Sequence, residues 1–286
     1  MYDLLIIGGG PAGLSAAMTA RNRNLSVCVI CGGAADSALH KAGRVTNYPG
    51  VPDVSGPALL ETMTQQARDL GADMLRERAL SAMPMGKTFG VSAGKEFVEG
   101  RALLLATGIA QRGTFPGETD YLGRGVSYCA TCDAFFYRGK DVAVLGSGEY
   151  ALHEAQALLP VAKSVTLLAN GQPLTAEFPA EVAVRPEKVE AILGEQRVSG
   201  VQLAGGETVA LDGVFVALGV AGSTALARKL GAEVDGNRIV TDEHMMTTLP
   251  GLYAAGDCTG GLLQVAKAVY EGALAGSEAA KALRKG

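Results

Sequence analysis

The chain has 286 residues, enough for one large α/β domain or two ordinary ones, since domains commonly run to roughly 100–150 residues. Its 25 basic and 29 acidic residues leave a net charge of −4, which offers no basic footprint for nucleic acid or an anionic membrane surface. With 39 glycines and 48% hydrophobic residues the composition excludes disorder and suits buried strands joined by tight turns; no apolar run nears the roughly 20 residues a bilayer crossing needs. No secretory pattern precedes the first apolar run, so a soluble, cytoplasmic protein is expected.

In chain order, "YDLLIIGGGPAGLSAA" at 2–17 predicts a buried strand, a glycine turn and a helix from about Pro11 to Ala20. Gly8 makes the tight turn, Gly10 lets the backbone approach a pyrophosphate, Gly13 lets helix and strand pack closely, and the helix start attracts the anion. "SVCVICGG" at 26–33 reads as the second strand, and Leu59, Leu60, Met63, Ala67 and Leu70 give 56–72 helical spacing. "RALLLATG" at 101–108 and "DGVFVALG" at 212–219 read as matching buried strands ending in glycine turns. The turn residues at 111–118 predict a hinge, and 262–283 a long closing helix.

The first unit recurs. "KDVAVLGSGEYALHEA" at 140–155 aligns with 2–17, and "SVTLLANG" at 164–171 with 26–33, both at an offset of 138 residues (140 − 2, 164 − 26). Gly146, Gly148 and Ala151 fall on Gly8, Gly10 and Gly13. Two mononucleotide-type units in one register predict a pair of Rossmann-like, three-layer domains, and glycines in the second copy are also explained by a strand and helix that still need their turn.

Between the copies lies "SYCATCDAFF" at 127–136. A four-cysteine zinc site would need a second pair, and Cys28 and Cys31, three apart on a strand, face opposite sides as core residues. A purely structural Cys129–Cys132 bridge closes too short a loop to remove much unfolded-state entropy. Redox work is favoured over both. His40, His153 and His244 show no metal-ligand spacing, and Cys258 is assigned to packing.

The order of motifs resembles the low-molecular-weight thioredoxin reductases: the first fingerprint, "TNYPG" at 46–50, "ATG" at 106–108, "PGE", "GRGVSYCATCDAFF", the second fingerprint, then "GLYAAGD" and "QVAKAVYEGA". The resemblance implies a homodimer whose discontinuous FAD domain spans 1–112 and 241–286, with a second, pyridine-nucleotide-type domain at 113–240 carrying the dithiol. It implies FAD on Gly8, Gly10, Pro11, Ala12, Gly13, Cys31, Asn47, Thr107, Gly108, Gly256, Asp257, Gln264 and Val265. By the same resemblance Cys132 takes electrons from the flavin, Cys129 exchanges with a thioredoxin-type disulfide, and Asp133 protonates the leaving thiolate; otherwise Asp133 is a helix-start carboxylate.

This chain departs from the family at Cys31, where an acid is usual nearby, and at Leu263, where arginine is usual. The second copy departs further. Ala169, Asn170 and Gly171 supply neither the arginines a 2′-phosphate calls for nor the acid an unphosphorylated ribose calls for. Tyr150 puts a large ring in the turn, and the stretch before "VSGVQL" at 198 is short, as though a helix were trimmed. NAD(P)H binding is therefore expected to be lost, as in the ferredoxin-dependent flavin thioredoxin reductases and related deeply rooted reductases, with reduced ferredoxin as donor. An acidic ferredoxin calls for a local basic patch, with Arg124, Arg138 and Lys140 as candidates. Three alternatives stay open: an NADPH-dependent reductase recruiting distant basic residues, a flavin dithiol oxidase using oxygen, and a non-catalytic redox-sensing interaction protein.

Overall fold

The structure, a computed structural model, describes residues 1–33, 37–108, 115–128, 130–218, 223–236 and 238–285, with the main chain alone at 131, 132 and 285. The elements begin with β1 (Tyr2–Ile7), α1 (Pro11–Arg21), β2 (Val27–Ile30), α2 (Ala38–Lys41), α3 (Gly56–Asp69), β3 (Asp73–Leu75), β4 (Ala79–Met85), β5 (Thr88–Ala93) and β6 (Glu96–Leu105). Then come β7 (Val126–Ser127), α4 (Ala130–Asp133), a 3-10 turn at Ala134–Tyr137, β8 (Asp141–Leu145), α5 (Glu149–Leu158), β9 (Ser164–Leu168) and β10 (Val182–Arg185). After β11 (Val189–Gly194), β12 (Val198–Leu203), β13 (Thr208–Ala210) and β14 (Gly213–Val216), the chain ends with α6 (Ser223–Leu230), β15 (Val234–Asp235), β16 (Arg238–Ile239), β17 (Leu252–Ala254) and α7 (Val265–Lys285).

These elements form two compact units, Met1–Ala110 with Gly222–Gly286, and Gln111–Ala221. In the first, the strand order is β3-β2-β1-β6-β5-β4, with β17 also on β6. The β3-β2-β1-β6-β17 part is parallel, and β6-β5-β4 is an antiparallel meander. Leu4–Ile7 and Leu103–Leu105 are at most 3% exposed. Such unbroken apolar runs mark strands covered on both faces. Small residues let α1 and α7 touch main chain to main chain: a Cβ on Gly272 would collide with Ala12, and one on Gly276 with Ala16.

The second unit holds a parallel sheet, β10-β9-β8-β14-β7, and a separate antiparallel sheet, β11-β12-β13. Its core is Ala143, Leu145, Val214 and Val216 packed with Phe115, Val126 and Val201. The repeat is exact in register: Leu4 pairs with Val27 as Val142 pairs with Val165. β9 and β10 run parallel, yet the residues between them, 169–181, contain no helix, so the crossover is short as the sequence indicated.

Two expectations change. α6 packs on β4 and β6, so the first unit takes the chain back at Gly222 rather than at 241. The strand expected at 101–108 is the end of a longer one starting at Glu96, because the β5–β6 hairpin extends it. The expected hinge at 111–118 begins in residues outside those described, where the two units divide.

Candidate functional site

In the first unit the expected cofactor residues gather at the C-terminal ends of the parallel strands, where open α/β sheets take their ligands. Gly8, Gly10, Pro11, Ala12 and Gly13 lie on the turn from β1 into α1; Thr107 and Gly108 follow β6, and Gly256 and Asp257 follow β17. The turn is tight. Gly8 has φ +120°, its N–H donates to the Ile30 carbonyl at 2.9 Å, and a Cβ there would strike the Ala106 carbonyl. A Cβ on Gly13 would strike the carbonyl of Gly8.

α1 starts at Pro11 with no side-chain cap from Gly10 and no acid in its first turn. Its leading amides are the helix-start donors that an anion takes up. Space opens beside Gly10, where a Cβ would meet nothing nearer than Ser37 Oγ at 3.9 Å, and beside Gly108, where it would meet nothing within 4 Å. These residues fit a dinucleotide pyrophosphate.

Two long-range contacts and one local cluster fix the rim. Asn47 Nδ2 donates to Gln264 Oε1 at 2.7 Å, joining two expected residues just before α7, which opens at Val265. Thr107 N–H donates to Ser223 Oγ at 3.2 Å, and the two hydroxyls also bond. Lys267 Nζ donates to the carbonyls of Gly256 (2.7 Å) and Gly260 (2.6 Å) and to Thr259 Oγ1 (2.8 Å), while Glu271 accepts from Gly256 N–H at 2.8 Å and pairs with Lys267 at 3.0 Å. Burial raises the Asp257 carboxyl above its usual range, Lys267 pulling it down and Glu271 pushing it up. Sequence reading missed Ser223, Lys267 and Glu271; "QVAKAVYEGA" contained the last two at helical i, i+4 spacing.

Cys31 follows β2, half-buried beside Gly9 and packed against the rim of the core, whereas Cys28 is fully in the core and its burial pushes the thiol up to about 11. Cys258 is buried, with its Sγ on the Leu105 and Ala255 carbonyls, and is likewise pushed up to about 11. Both thiols are held protonated and inert near neutral pH.

In the second unit Cys129 lies outside the described residues, and Cys132 is described by its main chain in α4. Side-chain bonds hold the residues on either side. Ser127 Oγ donates to Asp133 Oδ2 at 2.6 Å. Tyr128 OH donates to the buried Glu118 Oε1 at 2.7 Å, Tyr150 OH donates to the Tyr128 carbonyl at 2.9 Å, and the Ala130 N–H donates to Glu154. Phe135 and Phe136 follow directly, 72% and 67% exposed. Of the basic candidates, Arg138 stacks over Phe135 at 5.5 Å, Lys140 over Tyr137 at 5.6 Å, and Arg124 over Tyr121 at 6.0 Å.

The second glycine turn keeps the backbone of the first. Gly146 N–H donates to the Leu168 carbonyl at 3.0 Å, and Gly148 precedes α5 without a side-chain cap. What covers it differs. Glu149 puts an acid in the first turn of α5. Thr175 N–H donates to the Ser147 carbonyl at 2.8 Å, and Thr175 Oγ1 stands 3.0 Å from the Cβ position of Gly148. Ala169 is buried, and Asn170 Oδ1 accepts from Val189 N–H at 2.9 Å. The Tyr150 ring is 5% exposed and points at the loop before Cys129, so it does not fill the turn as the sequence suggested. Beside the turn is an open groove of about 730 Å³ lined by Leu174, Phe178, Pro179 and Val182 with Glu149 and Glu177, a lining without Lys or Arg.

The family model for pyridine nucleotide-disulphide oxidoreductases matches residues 2–272. A thioredoxin reductase of Listeria monocytogenes is 36% identical over 98% of this chain and 93% of its own length. An atypical thioredoxin reductase from Desulfovibrio vulgaris Hildenborough is 33% identical with TM-score 0.89, covering 100% of this chain and 99% of that one. A ferredoxin-flavin thioredoxin reductase from Clostridium acetobutylicum is also 33% identical, with TM-score 0.76 over the same shares.

Proposed function

The chain belongs to the pyridine nucleotide-disulphide oxidoreductase family, which implies FAD, and on that premise we propose that it is a thioredoxin-reductase-type disulfide reductase with reduced ferredoxin as electron donor. One observation carries the choice of donor: two glycine turns of the same backbone, the first open at an uncapped helix start, the second with Glu149 at the helix start and Thr175 over the turn. A nucleotide diphosphate at the second turn would meet an acid instead of a cation. Resemblance to the Clostridium reductase, whose name carries both ferredoxin and flavin, supports the same reading.

FAD, when bound by Gly8, Gly10, Gly13, Thr107, Gly256 and Asp257, supplies a centre that accepts electrons singly and gives them in pairs. Two reduced ferredoxins each give one electron; with two protons these convert the Cys129–Cys132 disulfide to two thiols. Cys129 gives its proton to Asp133 and, as thiolate, attacks one sulfur of the thioredoxin-type disulfide, forming a mixed disulfide and releasing the other sulfur as thiolate. Asp133, oriented by Ser127, passes that proton to the released thiolate. Cys132 then displaces the second sulfur, which takes up the Cys132 proton, and re-forms the intramolecular disulfide, so the partner leaves as a dithiol. Phe135, Phe136 and Arg138 offer an apolar, cationic surface beside the pair for an acidic protein. The working form in this reading is a cytoplasmic homodimer.

Flavin bleaching under anaerobic conditions tests the donor. Ferredoxin photoreduced in the cuvette should bleach the visible band fast and reduce thioredoxin, NADPH and NADH should not, and Cys132→Ser should retain bleaching but lose thioredoxin reduction. Fast, saturable bleaching by NADPH would sink the ferredoxin reading, and rapid peroxide formation with small dithiols would favour an oxidase.

A further inference from the structure

We propose that Tyr150 and Glu154 are positioning residues for Cys129: the helix after the second glycine turn uses them to hold the two peptide groups that flank it. The proposal rests on reading Cys129 and Cys132 as the exchanging pair.

The Tyr150 hydroxyl donates to the carbonyl of Tyr128, part of the peptide bond that enters residue 129. The Glu154 carboxyl accepts from the N–H of Ala130, part of the peptide bond that leaves it. Both side chains are buried, at 5% and 1% exposure, and they stand i, i+4 on α5, so one helix face reaches both sides of one residue. A third group completes the hold: Glu118, fully buried, takes the Tyr128 hydroxyl at 2.7 Å and the Phe115 N–H at 3.2 Å. Tyr128 is thus fixed at its carbonyl and at the tip of its ring.

Burying two carboxyl groups to hold main chain is expensive where apolar packing would join α5 to α4 as well. Chemistry gives the expense a use. Cys129 has to occupy three states in each cycle, bonded to Cys132, free as thiolate, and bonded to a partner sulfur, and disulfide geometry tolerates little error. Holding the Tyr128 carbonyl and the Ala130 N–H positions the main chain before and after the exchanging residue, the preorganisation that reacting groups need. It also gives the second repeat a role without nucleotide: the helix that would face a pyrophosphate has become the brace of the redox loop.

The test uses full-length holoprotein reduced with dithionite, so that no physiological donor is required. Exchange with the aromatic disulfide dithiobis-nitrobenzoate is followed by stopped flow, and the dithiol–disulfide equilibrium by alkylation in glutathione buffers. Tyr150→Phe and Glu154→Ala should each slow exchange about tenfold and shift the equilibrium, while Glu154→Gln, which still accepts from the Ala130 N–H, should recover to within about threefold of the native rate. If Glu154→Ala fails to fold, Tyr150→Phe, which loses one oxygen atom, carries the test. Native exchange rates and an unshifted equilibrium in Tyr150→Phe and Glu154→Ala, with only an earlier melt, would overturn the proposal. Undiminished exchange in Cys129→Ser would overturn the underlying dithiol reading instead, and is seen separately.

Discussion

Asp3 and Asp141 do the same work in the two units. Asp3 accepts from the Ser26 N–H at 2.9 Å and the Ser26 hydroxyl at 2.8 Å, fastening the start of β1 to the start of β2; Asp141 accepts from the Ser164 hydroxyl at 2.6 Å and from Lys163 at 2.9 Å, fastening β8 to β9. At the opposite strand ends the units part. Pro11 opens α1 where Glu149 opens α5, and Gly13 stands where Ala151 does. Ser37 Oγ is 3.9 Å from the Cβ position of Gly10, whereas Thr175 Oγ1 is 3.0 Å from that of Gly148. Building the sheet and binding a dinucleotide make separate demands on one unit. The first demand has been kept in both copies; in the proposed reading the second is met in only the first.

The largest test of that contrast is at the third fingerprint position. Gly13→Ala places a Cβ against the Gly8 carbonyl, main chain that cannot swing aside, and beside the Ile6 side chain, and should cost about 3 kcal/mol and the yellow flavin with it. Ala151→Gly, the reverse change in the other copy, should cost about 1 kcal/mol, the helix-propensity difference. Thermal melts and the visible spectrum of the purified variants measure both. Similar losses in the two would mean that the first turn is no tighter than the second.

The latches come next. Burial works against the charge on Asp3, but the bonds from Ser26 and the Arg101 guanidinium at 3.1 Å outweigh it and hold the carboxyl below 3.8. The unfolded chain therefore binds more protons, so this contribution is complete above that value and disappears as pH falls through the folded pKa. Asp3→Asn should lower stability by about 1 kcal/mol at neutral pH and flatten the acid-side fall in a pH series of denaturant midpoints. Asp141→Asn should flatten it too, since the Lys163 and Ser164 bonds lower that carboxyl in the same direction.

The repeated unit and the residues that gather at the strand ends of the first unit are legible in the sequence because those features are local: glycine at fixed steps from a strand, and motifs whose strand ends meet in any parallel sheet. Ser223 on Thr107, 116 residues away, leaves no local trace, and neither does the bond between Asn47 and Gln264. The apolar face of α6, Ala225, Leu226 and Leu230, gives no sign of which sheet it covers, so its place in the first unit is not legible in the sequence. The size of the Tyr150 ring is visible in the sequence and its direction is not; its hydroxyl turns to Tyr128. Glu154 and Glu118 carry no mark in the sequence, because a lone acid on a helix or in a turn resembles any solvated one until its burial is known.

The smallest effect is expected at the start of α5. The partial positive charge there favours an acidic side chain or a bound phosphate, and Glu149 already occupies the first turn. Glu149→Gln should therefore do two opposite things of similar size: lower stability by about 0.5 kcal/mol, and improve the affinity of inorganic pyrophosphate or NADPH by a factor of about two to five. Because Thr175 still lies over Ser147 and Gly148, that gain should leave NADPH binding weak in calorimetry and flavin bleaching by NADPH slow. Tight NADPH binding by this single variant would locate the whole difference between the two turns in one carboxylate. A melt that falls with no change in anion affinity would locate it in the Thr175 loop.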